Sequence, residues 1–195
     1  VGAVEVSSTP GATATCVRIS PDGRKLYAVV QRPSGDVVMV LDAGLNAVDT
    51  IEVGSTIRDV AVSPDGESLF IASYDPDLGE KVELVDTHAD VAHTRFAVGA
   101  LVTRLTVSRD GDRLYVLTAD GIVVICTRTD QVVDTIAVAG SPSGAVESAD
   151  GNHLYVADYE GSVTVVSVAV LAATLSGRFI PDDAVAALLE LEPAV

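Results

Sequence analysis

Two arginines and an aspartate lie four or five residues after a glycine in two parts of the chain, and together their side chains could bind an anion. Arg58 and Asp59 lie four and five residues after Gly54, and Arg104 lies five residues after Gly99. A guanidinium group offers a planar set of hydrogen-bond donors that matches a carboxylate or another anion. The alternative interpretation is an internal salt bridge at the rim of a channel, with no ligand bound.

A second group of candidate residues combines tyrosines with acids. Tyr74, Asp75, Asp77 and Glu80 lie in one predicted polar loop, residues 73–81, and Tyr159 occupies the matching place in the last repeat of the chain. Tyrosine beside polar groups is typical of protein recognition surfaces. The Asp-x-Asp-x-Gly-Glu spacing resembles part of a calcium loop, but the third acid and the remaining EF-hand spacing are missing. We therefore predict a binding segment without a metal.

Motifs of catalysis are missing from the sequence, which has no Gly-x-Ser-x-Gly, no His-Glu-x-x-His and no P-loop. The three histidines, His88, His93 and His153, fall in separate segments, which favours surface or structural roles. Cys16 and Cys126 lack Cys-x-x-Cys spacing, so we expect free thiols. We predict no catalytic residue and no cofactor.

Charge and hydropathy narrow the classes of partner. The chain has 195 residues and a net charge of −16, from 28 acidic and 12 basic residues. This balance argues against binding to nucleic acid phosphates, whereas cationic or neutral partners stay open. The sequence has no apolar run of the length that a membrane span needs, so we predict no membrane span.

A motif that repeats four times determines the architecture that must position these residues. The octet "SPDGRKLY" returns as "SPDGESLF", "SRDGDRLY" and "SADGNHLY", with Asp-Gly at 22/23, 65/66, 110/111 and 150/151. Repeats of this length are typical of propellers and solenoids. In the second octet Ser63, Pro64 and Gly66 suit successive positions of a type I turn.

The apolar residues that follow each Asp-Gly turn indicate β-sheets that are buried on both faces. Leu and an aromatic residue are neighbours in every repeat, at 26/27, 69/70, 114/115 and 154/155. Adjacent residues of a strand point to opposite faces, so both faces of the second strand carry large apolar groups. Four short strands in each repeat then make one blade. The sequence therefore predicts an all-β protein, a β-propeller of about four four-stranded antiparallel blades. Arg58-Asp59 and Thr103-Arg104 are expected just before the innermost strands, round the mouth of the central channel.

The segments "SPDGRKLYAVV", "DTIEVG" (49–54) and "DTIAVA" (134–139) resemble the YVTN, or YncE-like, β-propeller repeat. This resemblance implies a propeller with a binding or scaffolding role. Some propellers of related repeat type are lactonases that use acidic, Arg or His groups at the channel mouth. Here only Arg58, Asp59 and Arg104 could play such parts.

The expected organisation is a propeller over 1–178 and a helical tail over 179–195. The N-terminal strand 2–8 is expected to complete the last blade, and the repeats are placed at about 12–54, 55–99, 100–139 and 140–168. Three arrangements stay open: a closed ring of four blades, a fragment of a longer propeller, and two chains joined into an eight-bladed ring.

The function that we expect is a non-enzymatic module for binding or scaffolding, which recognises a protein partner or a small ligand. The alternatives are a lactonase-like hydrolase and a structural element that self-associates, for example as a homodimer. Because the sequence begins with Val1 and not with Met, we expect a processed or excised piece of a larger or exported protein. We favour the cell envelope or secretion over the cytoplasm.

Overall fold

The structure, a computed structural model, describes residues 10–88 and 91–168, and for residues 91–95 it describes the backbone alone. These residues form fifteen β-strands and no helix. The strands are β1 (Thr13–Ile19), β2 (Lys25–Gln31), β3 (Val37–Asp42), β4 (Ala47–Glu52), β5 (Thr56–Val62), β6 (Ser68–Asp75), β7 (Gly79–Asp86), β8 (Val91–Ala97), β9 (Val102–Val107), β10 (Arg113–Thr118), β11 (Gly121–Cys126), β12 (Gln131–Ile136), β13 (Pro142–Glu147), β14 (His153–Asp158) and β15 (Val163–Ser167).

The strands form four antiparallel sheets, each in simple up-and-down order. Blade 1 is β1 to β4, blade 2 is β5 to β8, blade 3 is β9 to β12, and blade 4 has β13 to β15 within the described residues. The predicted propeller of four-stranded blades is therefore confirmed. The predicted N-terminal strand 2–8 and the helical tail 179–195 lie outside the described residues.

The repeated octet forms the turn between the first and second strands of each blade. The Gly66 amide donates to the Ser63 carbonyl at 2.9 Å, and Gly66 has a φ of +78°, where a side chain would be strained. The Ser63 hydroxyl donates to Asp65 and accepts from the Ser68 amide at 2.9 Å. The same serine bonds recur in the other three turns, which explains why the serine repeats along with Asp-Gly.

The hydrophobic core lies between the blades, in three separate clusters. Tyr27 of blade 1 faces Leu69 of blade 2, and Phe70 of blade 2 faces Leu114 of blade 3. Tyr115 of blade 3 faces Leu154 of blade 4. At each of these three interfaces the aromatic residue of one blade thus packs with the leucine of the following blade. Burying one such side chain stabilises the fold by about 1.5–3 kcal/mol.

One prediction about the first strands is wrong in detail. Arg58-Asp59 and Thr103-Arg104 were expected just before the innermost strands, but they lie inside β5 and β9. Each strand begins earlier because it continues past a β-bulge. In β5, Ile57 pairs with Ser73 and Asp59 pairs with Ala72, so that Arg58 is the extra residue.

Candidate functional site

The same bulge occurs in the first strand of every blade, and it places the candidate residues. The register skips Thr15 in β1, Arg58 in β5, Thr103 in β9 and Ser143 in β13. A bulge bends its strand and redirects the neighbouring side chains, and bulges are common beside functional sites. The bulge residue lies four residues after a glycine in blades 1 to 3 and three residues after Gly140 in blade 4.

A cavity of about 340 Å³ lies where the first strands of blades 1 to 3 meet. It brings together Arg58, Asp59 and Arg104, as the sequence predicted. The remaining lining residues are Thr15, Cys16, Val17, Arg18 and Thr103. Sequence reasoning missed Arg18, although its position two residues after Cys16 places both side chains on one face of β1. We call this the arginine cavity.

Asp59 joins three blades. Its Oδ1 accepts from Arg18 Nη2 of blade 1 at 2.8 Å, and its Oδ2 accepts from the Leu105 amide of blade 3 at 3.0 Å. The Cys16 thiol also approaches Oδ1, at 3.5 Å. Burial raises the pKa of that thiol, which favours the protonated form that donates. Both oxygens of Asp59 are therefore engaged in bonds that hold the blades together.

Arg58 is held by two residues of its own blade. Its Nη2 and Nε donate to Glu80 Oε1 at 2.9 and 3.2 Å, and its guanidinium lies 5.6 Å from the centre of the Tyr74 ring. Glu80 neutralises the charge of Arg58, and Tyr74 supports the guanidinium from its face. Glu80 and Tyr74, both predicted as site residues, thus hold the side chain of Arg58 in its orientation in the cavity.

Arg104 differs from the other two arginines in its partners. Its Nε donates to the Ser143 carbonyl of blade 4 at 2.9 Å. Within residues 10–88 and 96–168 no carboxylate forms an ion pair with Arg104. Its side chain is exposed, so its charge faces solvent. The positive charge of the cavity is therefore least compensated at Arg104.

The segment that was predicted as a loop, residues 73–81, is mostly strand. β6 extends to Asp75 and β7 begins at Gly79. The short connection is stabilised by Asp75 Oδ1, which accepts from the amides of Asp77 and Leu78 at 2.9 and 3.2 Å. Asp75 also lies 3.8 Å from Lys81 Nζ. The side chain of Asp75 therefore stabilises the turn between β6 and β7.

Five predicted residues lie outside the lining of the arginine cavity: Tyr74, Asp75, Asp77, Glu80 and Tyr159. Tyr74 and Glu80 nevertheless contact its Arg58. The side chains of Asp77 and Tyr159 are exposed, and the Tyr159 amide donates to the Ser141 carbonyl at 3.1 Å. Both residues lie in the connection between the second and third strands of their blades, Tyr159 at the same end of blade 4 as Asp77 of blade 2. Across the described part of the chain, no group of three or more possible metal ligands comes together.

Comparison with known proteins gives one family and several relatives. The family model described as lipoprotein LpqB β-propeller domain matches residues 2–130. The seven-bladed β-propeller protein Rv1057 of Mycobacterium tuberculosis is 40% identical over 204 residues, which cover 87% of this chain and 51% of that protein. The COMPASS component SWD3 of Saccharomyces cerevisiae is 32% identical over 123 residues, which cover 62% of this chain and 36% of that protein.

A solved structure shares the fold. A chain of hydrazine synthase from Kuenenia stuttgartiensis matches with a TM-score of 0.72 at 24% identity, over 92% of this chain and 52% of that one. At this identity the likeness shows the fold alone. This chain spans about half the length of the Mycobacterium relative and about half of the hydrazine synthase chain. No helix in the described residues is long and apolar enough to cross a membrane.

Proposed function

This chain belongs to the lipoprotein LpqB β-propeller domain family, and on that premise we propose that it is a non-enzymatic binding module whose arginine cavity holds an acidic group of a protein partner. The propeller supplies a rigid support. Binding residues are commonly carried on such scaffolds at the ends of strands and in loops. A carboxylate is the ligand that best matches the donors of an arginine.

The observation that carries the proposal is the exposed charge of Arg104. Three guanidinium groups converge in a protein whose net charge is −16. Arg18 is paired with Asp59 and Arg58 with Glu80, whereas Arg104 has only a backbone carbonyl as its partner among the described residues. A carboxylate that entered the cavity would neutralise Arg104 and displace little of the existing network.

The relatives support a role in assemblies and a place in the cell envelope. The family is named after a lipoprotein, LpqB, and the yeast relative is named as a component of COMPASS. We extend both properties to this chain as proposals: it is a propeller module of the cell envelope that contacts other proteins. Tyr74, on the rim beside Arg58, and Asp77 and Tyr159, in the connections at one end of their blades, would extend the contact surface.

The test is a calorimetric titration of an oligoglutamate peptide into the purified chain at an ionic strength of about 0.15 M, where the repulsion from the net charge of −16 is largely screened. We expect saturable binding that Arg104→Ala weakens about tenfold, equivalent to about 1.4 kcal/mol. Arg24→Ala is the matched control, because Arg24 lies on an Asp-Gly turn outside the cavity and its side chain is 86% exposed. Unchanged binding in Arg104→Ala, or an equal loss in Arg24→Ala, would contradict the proposal.

A further inference from the structure

A second cavity, of about 530 Å³, continues from the arginine cavity along the first strands of blades 1 to 3. Arg18 lines both cavities. In β9 the lining of the arginine cavity ends at Arg104, and that of the second cavity begins at Leu105 and reaches the Asp-Gly turn at Arg109. The two cavities therefore form one continuous path along these strands. We call the second cavity the inner groove.

The walls of the inner groove carry apolar side chains from all three blades. Ile19 of blade 1 is 62% exposed, and Pro64 in the turn after β5 is exposed as well. Val62 of blade 2 and Val107 of blade 3 are half-buried. All four line the groove. Apolar side chains that stay partly exposed at a concave surface are typical of binding sites.

Arg109 places a positive charge at the far end of the inner groove. Its side chain is exposed, and no carboxylate of residues 10–88 and 96–168 forms an ion pair with it. Its amide donates to Glu147 Oε2 at 2.8 Å, which holds the backbone at this point. The lining of the groove includes Arg18 and Arg109 but no acidic residue. Arg104 and Arg109 thus place positive charge at both ends of the path, in a protein of net charge −16.

The strands that border this path have open edges. β1, β5 and β9 are each the terminal strand of their sheet, so one edge of each has no strand partner in the part of the chain that the structure describes. Some backbone groups on these edges are bonded to side chains, as the Leu105 amide is to Asp59. An extended peptide can bond to further groups of such an edge through its own backbone. The path therefore suits an extended peptide better than a lipid chain, which offers no hydrogen bonds along its length.

The spacing of the two terminal charges sets the length of the ligand. Arg104 and Arg109 are five residues apart, in β9 and the turn that follows it. A strand rises about 3.3 Å per residue, so their backbone positions are separated by up to about 16 Å. An extended peptide advances at the same rate. Two acidic residues about five positions apart would therefore reach both arginines.

We propose that the inner groove binds an extended segment of the protein partner that has an acidic residue at Arg104, a second acidic residue at Arg109 and apolar residues between them. This inference rests on the proposed function, because the first acidic residue is the group that the arginine cavity holds. It adds the class of ligand, a linear segment with acidic ends and an apolar centre. The ligand would bury the exposed parts of Ile19, Val62 and Val107.

The first test is the binding of fluorescent hexapeptides, measured by anisotropy at an ionic strength of about 0.15 M. The probe is Glu-Val-Ser-Val-Ser-Glu with blocked termini, and its matched control is Glu-Glu-Val-Ser-Val-Ser, which has the same composition and charge. We expect the probe to bind about fivefold more tightly, through one added ion pair. Arg109→Ala should remove this advantage, whereas Arg24→Ala, in the Asp-Gly turn of blade 1, should preserve it. Equal affinity for the two peptides, or an advantage that persists in Arg109→Ala, would overturn the proposal.

The second test concerns the apolar walls. Replacing both valines of the probe by serine should weaken binding about tenfold, because less apolar surface is removed from water. Ile19→Ser should also weaken binding of the original probe, whereas Val48→Ser, on the outer strand β4, should have no effect. Circular dichroism verifies that each variant is folded. Full affinity for the serine peptide, or for the probe in Ile19→Ser, would overturn the proposal.

Arg104→Ala distinguishes this inference from the proposed function. If Arg104→Ala weakens binding of both hexapeptides and Arg109→Ala weakens neither, the inner groove is overturned and the arginine cavity stands. If neither hexapeptide binds the wild type, both proposals fail. Dodecanoate tests the other occupant that apolar walls and a cation would suit. Displacement of the probe by dodecanoate at a lower concentration than the probe itself needs would assign the groove to a fatty acid and overturn the proposed peptide.

Discussion

The carboxylate of Asp59 accepts a hydrogen bond of 2.8 Å from the guanidinium of Arg18 in the preceding blade. Because the other oxygen of Asp59 accepts from the Leu105 amide of the following blade, one side chain bonds three blades at the floor of the arginine cavity. The cavity is therefore built around a buried carboxylate that is already satisfied. We therefore expect Asp59 to contribute mainly to the stability of the fold.

Replacing Asp59 by alanine is expected to lower the free energy of unfolding by about 2–3 kcal/mol, because it leaves a buried amide and a half-buried guanidinium without their acceptor. Denaturant unfolding followed by circular dichroism measures the change. Asp77→Ala is the control, since Asp77 is exposed and lies outside the cavity. A loss below 0.5 kcal/mol for Asp59→Ala, about the effect of an ordinary surface substitution, would contradict the assigned role.

A buried ion pair fastens blade 3 to blade 4. Arg113 Nη2 donates to Glu147 Oε1 at 2.9 Å, and the Tyr115 hydroxyl donates to the same oxygen at 2.9 Å. Glu147→Ala is expected to cost about 3–5 kcal/mol, because it removes the closest carboxylate from the buried Arg113 and the acceptor of the Tyr115 hydroxyl. Arg113 keeps only the more exposed Asp110, at 3.5 Å, and the Val168 carbonyl. Arg113→Met/Glu147→Leu, which removes both charges, is expected to recover most of this loss. Calorimetric melting of the wild type, Glu147→Ala and the double variant measures their order of stability. A double variant as unstable as Glu147→Ala would contradict the prediction.

The aspartates of the four turns make stability depend on acid pH. The hydrogen bond from the Ser148 hydroxyl, supported by the Asn152 amide, lowers the pKa of Asp150 from 3.8 to about 2. A carboxyl group whose pKa is lower in the folded state stabilises the fold above the unfolded value, and this contribution is lost as pH falls through the folded value. Asp150→Asn should therefore be less stable than the wild type at pH 7, and the difference should disappear between pH 4 and pH 2.

Urea unfolding at a series of pH values measures this difference. Two other turn aspartates, Asp22 and Asp65, also have pKa values lowered mainly by a serine hydroxyl, so their asparagine variants should behave like Asp150→Asn. Asp77→Asn serves as the control outside the turns. A stability difference for Asp150→Asn that stays constant from neutral pH to pH 2 would contradict this account.

The fold could be predicted from the sequence because the turn and strand signals of each repeat come from residues that are close together in the chain. The Ser63 turn and the Leu69-Phe70 pair each follow from the chemistry of adjacent residues, and four copies point to the same blade. The bulge at Arg58 could not be predicted, because it is visible only when β5 is paired with β6. The bulge is also the reason why the expected start of the first strands was wrong.

The candidate site could be predicted only in part, because its geometry depends on contacts between blades. The spacing from the glycines placed Asp59 and Arg104 at corresponding positions, with Arg58 one residue before Asp59, and the cavity does bring the three together. Whether the charges of the two arginines are neutralised depends on their partners, which are Glu80 for Arg58 and a backbone carbonyl of the next blade for Arg104. These partners follow from how the strands and blades pack. Short-range sequence patterns carry no information about such long-range partners.

The central claim, that the arginine cavity receives an acidic group through Arg104, is tested most directly by nuclear magnetic resonance. The ¹H–¹⁵N signals of the chain would be followed while an oligoglutamate peptide is added. The account predicts that the Arg104 Nε–H signal and the backbone amides of Thr103 and Arg58 shift together and saturate. Shifts confined to the Asp-Gly turns, for example at Gly66 and Gly111, or no saturable shift in the cavity, would contradict it.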